Sequence, residues 1–170
     1  MPLDKLMIWI CIILTCISCL WISFEDFKTR RIHLYPFLIM ILSGLVFQFA
    51  RRNWDFVETV GTNVMILAFI FISIILVYRI KGETQIMDTK MGWGDWIFFL
   101  GLAVWLDPEM FLLFYALSTV GITTGISLLQ LSRYKLAPGY PIPLAGILGL
   151  IFTFFLPIWQ LRGFFNVIIK

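Results

Sequence analysis

Met91-Gly92-Trp93-Gly94-Asp95-Trp96-Ile97-Phe98-Phe99-Leu100-Gly101-Leu102-Ala103-Val104-Trp105-Leu106-Asp107-Pro108-Glu109 is the stretch that decides how many helices the chain sends through a bilayer. Its uncharged part, from Trp96 to Leu106, is only 11 residues long. A helix rises about 1.5 Å per residue, so that part alone falls well short of a hydrocarbon core of roughly 30 Å. Begun near Met91, with Asp95 taken into the membrane, the helix reaches about 24 Å and becomes a plausible span. Asp107-Pro108-Glu109 then makes a tight turn into the next apolar run.

Outward from this stretch, uncharged runs cover 6–24, 34–50, 59–78, 110–132 and 136–161. Each can cross the hydrocarbon core as a helix. The last carries Pro138, Pro141 and Pro143 at its start, so its helix is expected to begin near 143. With 91–106 these runs predict an all-α, polytopic membrane protein: one domain over 1–170, built as a bundle of six transmembrane helices. Composition agrees, because 61% of the 170 residues are hydrophobic and 14% are charged. A soluble domain of this size could not bury so much apolar surface. The run 6–24 is too long for a signal-peptide core, and Glu25-Asp26-Phe27-Lys28 after it is no small-residue cleavage site, so it reads as a first span.

The net charge of +3 is small and the basic residues are scattered, which argues against a nucleic-acid partner. Cys11, Cys16 and Cys19 lack the spacing and the acidic or histidine neighbours of a zinc site, and they read as fillers of helix-facing space. Neither a metal nor a cofactor is expected. Lys28, Arg30, Arg31, Arg79, Lys81, Lys90, Arg133 and Lys135 follow the odd-numbered spans and outnumber Lys5, Arg51, Arg52, Arg162 and Lys170 on the other side. This bias puts the first set in the cytoplasm. Gly121 and Gly125 form a Gly-x-x-x-Gly face expected to pack helices within the chain. Trp21, Trp54, Trp105 and Trp159, at span ends, read as interface anchors.

Two aspartates carry the chemistry. An aspartate at mid-membrane costs roughly 2.5–3.5 kcal/mol on insertion scales, so Asp95 needs a partner, water or a task. Gly92 and Gly94 just ahead of it permit close backbone approach or local unwinding. Taken alone, Asp95 reads equally as a helix cap or as a functional group. Asp26, in Glu25-Asp26-Phe27-Lys28-Thr29-Arg30-Arg31-Ile32, sits just past the first span and alone reads as an interfacial charge. Parity joins the two: the first span ends at Asp26, two spans intervene, and the fourth starts at Asp95. Both therefore lie on one membrane face. Two ionised carboxylates about 4 Å apart at an effective dielectric near 20 would repel by about 4 kcal/mol, so such a pair shares one proton. A pair in that state can activate water and polarise a carbonyl.

These residues resemble those of the type IV prepilin and preflagellin peptidases, the Gly-x-Gly-Asp membrane aspartyl proteases. The resemblance runs over nearly the whole chain. It rests on the six spans, the Asp26 motif with its basic residues, and Gly92-Trp93-Gly94-Asp95 opening the fourth span. Pro141-Ile142-Pro143-Leu144-Ala145-Gly146 is also similar to the proline-containing start of the family's last span. The resemblance implies Asp26 and Asp95 as the catalytic pair, with Gly92 and Gly94 shaping the site. It implies a peptidase of the inner membrane that cuts at the cytoplasmic edge. The substrate would be a pilin-like precursor with a basic leader, a glycine before the cut and a hydrophobic helix after it. Glu83 and Asp88 could attract that leader, though an ordinary solvated loop explains them too. Two positions depart from the family pattern: Ile97 stands where many members carry Lys, and His33 follows Ile32 where many have Pro. The segment with paired Cys-x-x-Cys found in longer members is missing, so peptidase action alone is expected. Two other readings stay open: a non-catalytic membrane subunit that binds pilin-like helices, and a small transporter whose aspartates relay protons or bind cations.

Overall fold

The computed structural model describes residues 3–29, 33–51, 55–82, 92–131 and 144–168, the side chains of 3–4, 126–131 and 161–168 excepted. Every regular element among the described residues is a helix: α1 (Leu3–Lys28), α2 (Leu34–Ala50), α3 (Phe56–Ile80), α4 (Trp93–Trp105), α5 (Pro108–Leu131) and α6 (Leu144–Ile168). α1 and α3 are long and apolar enough to cross a membrane, while α2, α4 and the described part of α6 are shorter apolar helices. The apolar runs thus became helices close to where the sequence placed them. The one shift that matters is α1, which continues through Asp26 to Lys28 instead of ending before it. Lys28 in the last turn offsets the negative end of the helix dipole, and Thr29 N–H closes onto Glu25 O at 2.8 Å.

α1 lies between α2 and α6, α2 packs on α4, and α4 also touches α3, α5 and α6. The buried stripe of α1 is Cys11, Ile12, Thr15, Ser18, Cys19, Ile22, Ser23 and Asp26, the three- and four-residue spacing of one helix face. Its small residues let α6 come close. A Cβ added to Gly149 would stand 2.7 Å from Ser23 Oγ and 2.9 Å from Cys19 O. Cys11 and Cys19 are buried against neighbouring helices, as fillers should be. Cys16 Sγ lies 3.7 Å from Thr153 O, the carbonyl that Pro157, lacking an N–H, leaves open one turn away. On the α2 side, Thr15 and Ser43 hydroxyls meet at 2.7 Å.

Two readings are corrected here. Trp105 is fully buried, not an interface anchor. Its indole N–H donates to Met40 O at 3.0 Å and its ring sits on Gly44 and against Phe47, because α4 packs on α2. The Gly121–Gly125 face packs against nothing described: no atom lies within 4 Å of a Cβ added at either position. α6 instead approaches α5 at Phe114, edge-on to Phe152 and close to Phe155. Aromatic bulk, not glycine, sets that helix spacing.

Candidate active site

The continuation of α1 past its apolar run puts Asp26 one turn beyond Ser23 on the face that meets α6. There its side chain is 9% exposed, and its Oδ2 accepts a hydrogen bond of 2.7 Å from Gly146 N–H. The Ser23 hydroxyl, 2.8 Å from Gly146 O and 2.7 Å from Cys19 O, fastens the same turn of α6 from below. Gly146 is glycine for a contact reason. An added Cβ would stand 3.1 Å from Asp26 Oδ2, 3.2 Å from Asp26 Cβ and 3.3 Å from Phe27 Cε2.

Asp95 arrives from α4, where it is the third residue. One of its oxygens serves its own helix: Oδ2 accepts from Gly92 N–H at 3.3 Å, while Asp95 N–H donates to Gly92 O at 3.1 Å. That is the cap expected of a carboxylate in a first turn. The other oxygen leaves the helix: Oδ1 accepts from Ala145 N–H at 2.8 Å. The cap reading and the long-range reading are therefore both satisfied, one by each oxygen.

Ala145 and Gly146 are consecutive residues in the first turn of α6, where amides have no partner within the helix. The two aspartates fill those vacancies side by side. Neighbouring amides of a helix are about 3 Å apart, which bounds the two accepting oxygens to within about 9 Å of each other. Asp95 lies within reach of the Asp26 charge. The partial positive charge at the helix start and two N–H donors offset some of the repulsion between the acids. The arrangement holds two carboxyl groups from distant parts of the chain at one place, each with hydrogen-bonding capacity left over.

The other residues singled out by sequence fall differently. Gly92 is exposed in extended backbone, and a Cβ there would lie 3.7 Å from Asp95 Oδ2, an ordinary contact, so the described residues do not themselves demand glycine. Gly94 is half-buried in the first turn of α4. Glu83 and Asp88 lie outside the described residues. Ile97 packs against the hydrophobic core. His33 turns to Glu25, not to the aspartates: its backbone N–H donates to Glu25 Oε2 at 2.8 Å and its Nδ1 lies 2.8 Å from Oε1. Trp21 Nε1–H donates to the same Oε1 at 2.7 Å within α1, and the Glu25–His33 contacts tie α1 to the start of α2. Among the described residues no cluster of His, Cys, Asp or Glu could hold a metal ion. A groove of about 400 Å³ between α1 and α2, lined by Met7, Leu14, Leu42 and Val46 among others, takes in neither aspartate.

Reasoning from sequence missed the amides of Ala145 and Gly146 as the partners of both acids. The only signal for them was Pro141 and Pro143 ahead of a glycine-containing apolar run, which marks a helix start without saying what meets it. The model of the type IV leader peptidase family matches residues 13–129, a span that includes both aspartates and stops short of α6. No curated protein and no solved structure matches the chain.

Proposed function

The chain belongs to the type IV leader peptidase family, and on that premise we propose that it is a membrane aspartic endopeptidase whose catalytic pair is Asp26 and Asp95. The observation that carries the reading is the convergence of both carboxylates on the adjacent amides Ala145 and Gly146. Brought to about 4 Å in the reacting state, the pair shares one proton, because two full charges at that separation would cost about 4 kcal/mol at an effective dielectric near 20. The ionised member takes a proton from water as its oxygen adds to the scissile carbonyl. The protonated member gives its proton to the carbonyl oxygen. When the tetrahedral intermediate collapses, the C–N bond breaks, the leaving nitrogen takes up the proton held by the pair, and one hydroxyl of the intermediate returns its proton to the pair as the new carbonyl forms. The amides of α6 keep both acids in place throughout, so little reorganisation accompanies the reaction.

The substrate in this reading is a pilin-like precursor: a basic leader, a glycine before the cut and an apolar helix after it. The open side of Gly92, beside Asp95, suits the approach of an extended peptide backbone. Glu83 and Asp88 would draw the leader's positive charges. The chain would cross the inner membrane six times with the aspartates at the cytoplasmic edge. Met65, Phe69 and Ile80 of α3, 74–78% exposed, with Val57, Ile72 and Leu76 also exposed, support a lipid surrounding, since water-soluble monomers rarely expose such patches. The excess of Lys and Arg beside the odd-numbered spans supports the sidedness.

The test is cleavage of pilin-like precursors by the detergent-solubilised protein. Asp26→Asn and Asp95→Asn each abolish cleavage while the protein still inserts and folds. Full cleavage by either variant refutes the pair. Ion flux into liposomes that depends on Asp95, with no precursor cut, would turn the assignment to a transporter.

A further inference from the structure

Resting on the peptidase reading above, we propose that Gln48, Asn63 and Trp105 are positioning residues, which fix the far end of α4 and through it the place of Asp95 against α6. α4 has only 13 residues, with Asp95 at one end. A helix leaves its last four carbonyls without partners, and in apolar surroundings they must find donors elsewhere. At the end of α4, donors from outside reach two of them and the carbonyl of the C-cap residue Leu106. Asn63 Nδ2 donates to Ala103 O at 2.9 Å and to Leu106 O at 2.7 Å, and Gln48 Nε2 donates to Val104 O at 3.1 Å. Only Leu102 O is taken locally, by Leu106 N–H at 3.1 Å. The Trp105 indole adds a bond in the other direction, to Met40 O.

The donors sit on α2 and α3 and act at the end of α4 opposite Asp95. They are buried, Asn63 at 0% and Gln48 at 2% exposure. Among the described residues Asn63 even leaves its Oδ1 with no hydrogen-bond partner. Packing alone would favour a leucine at such a point, because a buried polar atom without a partner is costly. What the amide supplies that a leucine cannot is directional attachment: three described carbonyls at the end of α4 are held at fixed distances. Trp105 seated on Gly44 blocks sideways movement, since even a methyl group there would be 2.8 Å from the indole nitrogen. α4 between its two ends is a short rod. A slide or turn of the anchored end carries Asp95 away from Ala145 N–H and from Asp26.

Two readouts separate positioning from mere stability. The first uses protein with Cys11, Cys16 and Cys19 replaced by alanine and the pair D26C/D95C introduced. It is treated with bifunctional thiol reagents of graded span, and the span that cross-links best reports the geometry. The second is the steady-state cleavage of a pilin-like precursor by chains that keep both aspartates. In N63L and Q48L the best-linking span changes, and kcat falls about tenfold to a hundredfold at unchanged KM, the scale of loss when a reacting group is displaced by about 1 Å. W105F loses one hydrogen bond and keeps most of the ring, so it reads both quantities if the other variants fail to fold. An unchanged linking span, or a loss of kcat no larger than the loss of folded protein, overturns the proposal. If the unsubstituted protein cuts no precursor, the peptidase reading falls, and the linking span by itself still decides whether the anchor exists.

Discussion

Gly146→Ala tests the join between α6 and Asp26 directly. The new methyl would begin 3.1–3.3 Å from Asp26 Oδ2, Asp26 Cβ and Phe27 Cε2. Comfortable contact between carbon atoms starts at about 3.5 Å, so something must yield by about 0.3 Å. Parting the helices would stretch the 2.8 Å bond between Ser23 Oγ and Gly146 O and lose the close contact of Gly149 with Cys19. The Asp26 side chain therefore moves, and its 2.7 Å bond from Gly146 N–H lengthens and bends. A hydrogen bond to a charged group is worth about 1.5–3 kcal/mol, of which about half is lost here. If that loss falls on the reacting state, kcat/KM for precursor cleavage drops about tenfold, or about 1.4 kcal/mol. Gly121→Ala is the matched control. No described atom lies within 4 Å of its added methyl, so activity stays unchanged while the helix gains about 0.5–1 kcal/mol from the lost flexibility of glycine. The assay is steady-state cleavage in detergent, with thermal unfolding measured on the same samples. If G146A proves as active as G121A, the close approach of α6 does not govern Asp26 and the reasoning fails.

Further outcomes follow from the packing. Gly44→Ala drives a methyl to 2.8–2.9 Å from Trp105 and Val104 and should lower stability by about 1–3 kcal/mol, seen as a reduced melting temperature in detergent. The buried Thr15–Ser43 hydrogen bond between α1 and α2 should show in a double-mutant cycle with T15V and S43A: a coupling of about 1 kcal/mol in thermal unfolding supports it, and additivity of the two losses rejects it. Gly149→Ala should loosen α1 from α6 more than G146A does, because its methyl would meet Ser23 Oγ at 2.7 Å and the Cys19 carbonyl at 2.9 Å. A melting temperature for G149A at or above that of G146A would count against the helix contact as described.

The sequence by itself determined the all-helical architecture and most helix limits. Long uncharged runs, and the charges and prolines that end them, are local properties that act wherever the chain goes. It also singled out Asp26 and Asp95, through an expected count of spans that would put both at one membrane face. It could not place Asp26 within a helix, because the run of apolar residues ends before the helix does. It misjudged Trp105 and the Gly121–Gly125 face, since a tryptophan or a glycine at a helix surface looks the same whether lipid or protein covers it. Gln48 and Asn63 as caps for α4 were equally invisible. What only the tertiary structure decided is the partner of the two acids. Every residue but proline carries a backbone N–H, so no residue letter reveals which of them will be left without a partner at a helix start and brought against a carboxylate. The packing of α6 against both α1 and α4 selects Ala145 and Gly146 for that role.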